Sequence, residues 1–434
     1  MNLNGVKISI AIGISTFLSL ILSVVIGRIS GPVAFGEYTF VITIANIVTI
    51  FLQMGMPILL IREIAKYKQQ LDYRYLSLLW DWSTNRVLIA TLLFFIILSG
   101  AVGVIYKQIN PTADPLVLFI SLILVVVITQ SAIEESKLKG LNLVALSIVP
   151  DKIIKPILII LAILIFSLYF SIELKVVDFL TIYTLFSIVA FVLLRGVANN
   201  RITPYKKLIL RRGVDFKFEE VIEKNIKSSK IFMYIAVAQV INMYSDVVML
   251  GFYVSFEEVG YYRVAVQSTV ISTFSSTVIV MLIMPIISSL YVKGDMKKIK
   301  EILKKMVLYS VIFSLIVTFS LLLYGKSIIS ISYGIDYIDA YTPMIILLFS
   351  QMISAFFGFL GPVLNMTGHE RLVLYGISIS MVLNIILNMV LIPLYGMNGA
   401  AIGSAVTLTI WNALLWVLLY KKTRIDCSIY SVFR

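Results

Sequence analysis

Apolar stretches long enough to cross a bilayer recur along the whole of this 434-residue chain, and its lysines and arginines crowd into every second gap between them. A hydrocarbon core of about 30 Å needs about 20 apolar residues per helix. With 60% hydrophobic and 14% charged residues, the stretches are nearly free of charge, as spanning helices require. Twelve spans are predicted, near 8–29, 38–61, 84–106, 115–134, 143–168, 176–195, 231–253, 261–290, 306–324, 341–366, 371–393 and 398–420. The gaps assigned to the outside hold only Arg28, Lys107, Lys175, Arg263 and Lys326. Because Lys and Arg accumulate in cytoplasmic loops, this asymmetry predicts an all-α polytopic membrane protein with both termini in the cytoplasm.

The basic gaps carry Arg62, Lys66, Lys68 and Arg74, then Lys137 and Lys139, then Lys206, Lys207, Arg211 and Arg212, then Lys293 to Lys305, and finally Lys421, Lys422 and Arg424. A net charge of +13 therefore needs no nucleic acid, since basic loops beside an anionic leaflet account for it. A single cysteine, Cys427, excludes a disulfide framework, and with one histidine, His369, no metal-cluster spacing occurs. Lys7 precedes an apolar run too long for a cleaved signal, which is expected to remain as the first span.

An internal repeat divides the chain. Gly27 and Gly36-Glu37-Tyr38 are matched by Gly251 and Gly260-Tyr261-Tyr262, offset by 224 residues. Met56-Pro57-Ile58 and Met284-Pro285-Ile286 are offset by 228, as are Gly140 and Gly368. The expected organisation is a six-helix lobe at 1–195, a basic cytoplasmic linker at 196–230 and a second six-helix lobe with a short tail at 231–434. Six helices per half make the repeats parallel, an arrangement that places a substrate site between them.

Charges inside spans are costly, and each needs a reason. Asp151, Lys152 and Lys155 lie within the fifth span, bracketed by Pro150 and Pro156. Two readings stay open: a basic patch aimed at an anionic substrate, or an Asp151–Lys155 pair with Lys152 reaching toward the cytoplasm. Arg28 and Arg263 are anchors or substrate contacts on the sparse outer side. Asp246, in the seventh span, has no basic neighbour at helical spacing and is a candidate for a coupling ion or for a charge partner elsewhere. Glu134 and Glu135 are expected at the interface. The second half carries amides instead, and Asn384 and Asn388, four apart, either bond between helices or line a groove. A cavity basic in one half and amide-rich in the other suits a ligand with a phosphate end and a sugar end.

Several ordered motifs carry a family resemblance: Gly27-Arg28, Gly31-Pro32, Gly55-Met56-Pro57, Pro150-Asp151-Lys152, Asp246 with Gly251, Asn365-Met366-Thr367-Gly368-His369-Glu370-Arg371, and Pro393-Leu394-Tyr395-Gly396. With them the chain resembles the oligosaccharide (Wzx-type) flippases, or polysaccharide biosynthesis export proteins, of the multidrug/oligosaccharidyl-lipid/polysaccharide superfamily. The related pattern has Glu and Arg where this chain has Asp151 and Lys155, which keeps the charge type without the arginine fork. The resemblance implies twelve helices in two pseudo-symmetric lobes around a central cavity, as in multidrug and toxic compound extruders, working by alternating access in a prokaryotic cell membrane. It also implies transport of a polyprenyl-diphosphate-linked glycan to the outer leaflet for O-antigen, capsule or exopolysaccharide. Surrounding membrane lipids and polysaccharide polymerase or assembly proteins are the other implied partners. No cofactor and no metal are expected; proton or sodium coupling is, with Asp151 and Asp246 as candidates. A cation-coupled multidrug exporter of the same superfamily is the nearest alternative. A membrane polymerase or ligase is disfavoured, because the outer gaps are short and hold no catalytic constellation.

Overall fold

In the computed structural model, residues 3–70, 73–109, 115–169, 174–209 and 218–432 are described. Side chains are described except at 1–7, 71–74, 97–114, 168–173, 204–228, 231, 285, 292, 433 and 434. The side chains of Lys7, Arg74, Lys107, Lys206, Lys207, Arg211, Arg212 and Pro285 therefore lie outside the described residues, as does part of the expected linker. The described chain is helical: α1 (Leu3–Gln53), α2 (Met56–Gln69), α3 (Tyr73–Ile109), α4 (Pro115–Gly140), α5 (Val144–Val149), α6 (Lys155–Leu164) and α7 (Val176–Ile209). They are followed by α8 (Phe218–Tyr253), α9 (Phe256–Val292), α10 (Met296–Ser332), α11 (Tyr341–Phe357), α12 (Leu360–Met366) and α13 (Glu370–Thr423). Among the described residues, eight helical stretches are long and apolar enough to cross a membrane.

Two of these stretches, Ile8–Gln53 and Glu370–Thr423, run 46 and 54 residues. At about 1.5 Å rise per residue, each is more than twice the hydrocarbon thickness. Both are broken by a glycine outside helical space, Gly31 (φ 73, ψ 170) and Gly396 (φ 55, ψ −136). A Cβ would strain that positive φ, so glycine is the residue that lets the chain turn there. On α9, Glu258 supports the second break, its Oε2 accepting the Met397 N–H at 3.0 Å.

Other breaks redraw the expected spans. The 38–61 span divides at Met54 and Gly55, which have φ of 51° and 70°, and α2 begins at Met56 as a separate helix. The 341–366 span divides at Gly358 (φ 78) into α11 and α12. In both cases the apolar run is continuous in sequence while the backbone is not.

The chain forms two compact units. One comprises Ile10–Ile29 and Val41–Val240. Its core joins Met56, Leu59, Leu60 and Ile64 of α2 with Leu76 and Trp80 of α3, Ile133 of α4 and Leu194 of α7. The other comprises Met1–Ser9, Ser30–Phe40 and Ile241–Arg434. Its core joins Met284 and Ile287 of α9 with Leu303 and Val307 of α10, Val363 of α12 and Leu415 and Leu419 of α13. The tail completes this core: Cys427 is fully buried, and burial pushes its thiol above the usual range. Along α10, Ile312, Ile316, Phe319 and Leu323 are exposed at helical spacing, the opposite face being buried. A continuous apolar face of this kind suits lipid rather than water.

The repeated glycine motif has a packing meaning within the second of these units. A Cβ on Gly36 would sit 1.7 Å from the Phe256 carbonyl oxygen and 2.9 Å from the Gly260 nitrogen. A Cβ on Gly260 would sit 2.3 Å from the Pro32 carbonyl oxygen. The later glycine of each repeat thus faces the other, and two backbones meet where no side chain fits. Gly251 opposes the Phe40 ring, whose edge lies 2.3 Å from the built Cβ position. Gly36→Ala and Gly260→Ala should each destabilise the protein by about 3 kcal/mol, at the upper end of ordinary overpacking. Gly196→Ala, on α7 with nothing within 4 Å, should be neutral or gain about 0.5–1 kcal/mol. Thermal unfolding in detergent checks the contrast.

Candidate functional site

Three groups of polar side chains lie within apolar helices, and each has found partners inside the protein. The densest surrounds Asp246 on α8. Its Oδ1 accepts from Asn388 Nδ2 at 2.6 Å, and its Oδ2 accepts from Tyr262 Oη at 2.7 Å and from Ser404 Oγ. Asn384 Oδ1 accepts from Ser245 Oγ at 2.5 Å and from Asn388 Nδ2 at 3.1 Å. One turn further, Asn242 Nδ2 donates to Ser380 Oγ at 3.2 Å.

The helical period assembles this seam. Asn242, Ser245 and Asp246 share one side of α8, and Ser380, Asn384 and Asn388 repeat every four residues along α13. Tyr262 comes from α9, and Ser404 lies beyond the Gly396 break. Every donor to Asp246 is neutral, so dipoles satisfy its oxygens while nothing among them balances a negative charge. Asn388 Oδ1 is buried without a hydrogen-bond partner among the described residues. Gly403 leaves it room, since a Cβ there would lie 2.5 Å from that oxygen. Carboxylate, hydroxyl and amide oxygens together are the donor set of a hard monovalent or divalent cation, although here Asn388 presents its Nδ2 and not its Oδ1 to Asp246. No group of three His, Cys, Asp or Glu suited to a metal occurs among the described residues.

The second group is on the broken fifth span. Pro156 has no N–H for the Lys152 carbonyl, and the helix widens into a π turn over Pro150–Ile154, where the Lys155 N–H bonds to the Pro150 carbonyl. Lys155 Nζ lies 2.5 Å from Asp151 Oδ1, 3.4 Å from Tyr183 Oη and 4.8 Å from the Tyr183 ring centre. Lys152 Nζ is 3.8 Å from Asp151 Oδ2, with its side chain 54% exposed. One carboxylate thus answers two lysines. Lys155 is enclosed by its partners, and Lys152 carries the more accessible charge.

The third group is one that sequence reasoning missed. Lys137 and Glu134 were expected as loop and interfacial charges, yet they are 0% and 2% exposed. Lys137 Nζ donates to Glu134 Oε1 at 2.9 Å and to Thr84 Oγ1 at 2.5 Å, 4.8 Å from the Trp80 ring centre. The signal was present in their opposite charges three residues apart, but a count of basic loop residues cannot separate Lys137 from Lys139. Glu135, in contrast, is partly exposed and pairs with Lys139 at 2.8 Å.

Arg28 is exposed on α1 and Arg263 half-buried on α9, in different units. The structure therefore joins Asp246 with Asn384 and Asn388, and Asp151 with Lys152 and Lys155. Tyr262 and Ser404 enter the first cluster from positions that helical spacing relative to Asp246 could not reveal.

With two helical units, glycine-broken long helices and charges held inside apolar spans, the molecule has the build of a polytopic membrane transporter. Its fold matches an inward-facing multidrug-resistance transporter of the multidrug and toxic compound extrusion (MATE) family in the MOP superfamily, with TM-score 0.73 and 14% identity over 97% of this chain and 99% of that one. It also matches the lipid II flippase MurJ in an inward closed conformation, with TM-score 0.71 and 16% identity over 95% and 87% of the two chains. The family model described as "Polysaccharide biosynthesis protein" matches residues 3–291, and the chain belongs to that family. A curated relative, the probable low-salt glycan biosynthesis flippase Agl15 of Haloferax volcanii, is 26% identical over 165 residues. That match spans 38% of this chain and 35% of the relative's length.

The buried Glu134–Lys137 pair supports a stability prediction. Glu134→Ala should cost about 3–5 kcal/mol by leaving the Lys137 ammonium enclosed without its counter-charge. The double variant Glu134→Leu/Lys137→Met should recover most of that loss. Unfolding of both variants in one detergent measures the coupling.

Proposed function

We propose that the protein is a flippase that moves a polyprenyl-diphosphate-linked oligosaccharide from the cytoplasmic to the outer leaflet by alternating access. The twelve-span topology, cytoplasmic termini and a role in O-antigen, capsule or exopolysaccharide assembly belong to the same proposal, with polymerase or assembly proteins downstream. The observation that carries it is a polysaccharide-biosynthesis family chain with a transporter fold and ionisable groups held inside its helices. The flippase named among its relatives adds support.

The chemistry agrees with this role. A diphosphate cannot cross hydrocarbon without cationic or hydrogen-bonding groups to replace its water. Lys152, with Arg28 and Arg263 as further candidates, supplies positive charge. Amide and hydroxyl side chains supply partners for sugar. The Asp246 cluster is the proposed coupling site: a proton or sodium ion would neutralise a carboxylate that neutral donors already orient, with Asn384 and the unpartnered Asn388 Oδ1 as further oxygens.

Multidrug export is the second reading, favoured by the likeness to the MATE-family transporter fold and by the enclosure of Lys155 against Asp151.

Leaflet-resolved translocation of a lipid-linked oligosaccharide in proteoliposomes tests both. The wild-type protein should move the lipid. Lys152→Gln, which leaves the Asp151–Lys155 pair intact, should slow it about tenfold through loss of one charge-assisted contact. Asp246→Asn should abolish its dependence on an imposed ion gradient. Unchanged rates in Lys152→Gln would remove this lysine from the substrate path. Drug efflux without movement of the glycan lipid would assign the protein to multidrug export.

A further inference from the structure

The chain after α13 builds a further polar site that shares no residue with the three groups above. Arg424 ends the helix in left-handed conformation (φ 56), and the backbone then doubles back over the core. Ile425 and Cys427 are fully buried. The Cys427 carbonyl lies against Gly358, where a Cβ would come within 2.1 Å of it. Asp426 Oδ1 accepts from Trp416 Nε1 at 3.0 Å, from the Ser428 N–H at 2.9 Å and from Ser428 Oγ at 2.7 Å. These contacts fix the tail beside the first turns of α10.

Between them lies a cavity of about 230 Å³ lined by Lys300, Lys304, Tyr420, Arg424, Asp426 and Ser431. Three cations face one carboxylate there, and one oxygen of that carboxylate is already engaged in shaping the turn. Among the described residues, no ion pair holds Lys300, Lys304 or Arg424. The Arg424 guanidinium lies 5.7 Å from the Tyr420 ring centre, and Tyr420 stacks on Trp416 at 6.3 Å with 20° between the planes. Ser431, 6% exposed, lines the same cavity, and its Oγ has no hydrogen-bond partner among the described residues. A buried hydroxyl left unpaired is uncommon because it forfeits its hydrogen bond with water. An acceptor in the cavity would restore one.

We propose that this cavity binds a phosphate-bearing anion, with Arg424 and the two lysines taking its charge and Ser431 donating to one of its oxygens. The guanidinium fork and two flexible ammonium groups suit the several oxygens of a phosphate. The volume is below that of a typical drug-sized pocket of about 300–1,000 Å³ and favours a small group over an extended glycan. A lipid headgroup and a soluble phosphate ester share this chemistry. The inference stands without the transport reading above.

Thermal unfolding of the purified full chain in neutral detergent, with added inorganic diphosphate or added phosphatidylglycerol, tests the site. At least one addition should raise Tm by about 2–4 °C, with amide-exchange protection concentrated in 424–432 and the first turns of α10. A response to phosphatidylglycerol alone assigns a lipid headgroup, and a response to diphosphate alone a soluble ligand. A response to both makes the phosphate itself the determinant. The triple variant Lys300→Gln/Lys304→Gln/Arg424→Gln should lose the response. Lys297→Gln/Lys421→Gln/Lys422→Gln, with the same charge change outside the cavity, should keep it. Ser431→Ala changes no charge and should weaken binding about tenfold, which tests the site even if the triple variant fails to fold. No response to either addition, equal losses in the two triple variants, or full affinity in Ser431→Ala would overturn the proposal.

Discussion

Hydrocarbon gives a charged side chain nothing to bond with, and the polar interior of this protein is organised by that constraint. Asp246 is met by an amide and two hydroxyls, Lys155 by a carboxylate and a phenol, and Lys137 by a carboxylate, a hydroxyl and an indole face. The three solutions differ in their charge balance. Lys137 and Lys155 each have an acidic partner, although Asp151 is shared with Lys152. Among the described residues, Asp246 has only dipoles for partners. Its partners orient the carboxylate, and under the proposed function a proton or a cation supplies the compensating charge.

Backbone geometry follows from the same medium. Helices that cannot expose unpaired amides turn most readily where the free groups find substitutes, and two of the breaks here have such support. Glu258 takes the Met397 N–H beside Gly396, and the Lys155 N–H reaches the Pro150 carbonyl across a π turn. Close backbone approach supplies the packing that apolar helices cannot obtain from water. Gly36 and Gly260 meet with no space for a methyl group between them.

The alternation of apolar stretches and basic gaps made the helical membrane fold legible, and the glycine repeat pointed to residues that do pack together. The breaks at Gly55 and Gly358 were not legible, because hydropathy windows record composition and a positive φ leaves no mark on it. Asp246, Asn384 and Asn388 stood out as polar residues in apolar helices. Their union with Tyr262 and Ser404 depends on which faces of three helices meet, and spacing within one helix does not contain that. Lys137 was misread for a related reason: a lysine near a helix end has the same sequence signature whether it reaches water or folds inward onto Glu134. Lys152 and Lys155, alike in sequence, differ in enclosure because the π turn lies between two prolines.

Under the proposed function Asp246 binds a proton or a cation and is not a structural acceptor alone. The most direct test is the unfolding temperature of the wild type and Asp246→Asn as sodium replaces choline at several pH values. Ligand binding to the folded state alone raises stability by mass action. The wild type should therefore gain stability from sodium or from protons, and Asp246→Asn should show no such gain. The same response in both proteins would contradict the account.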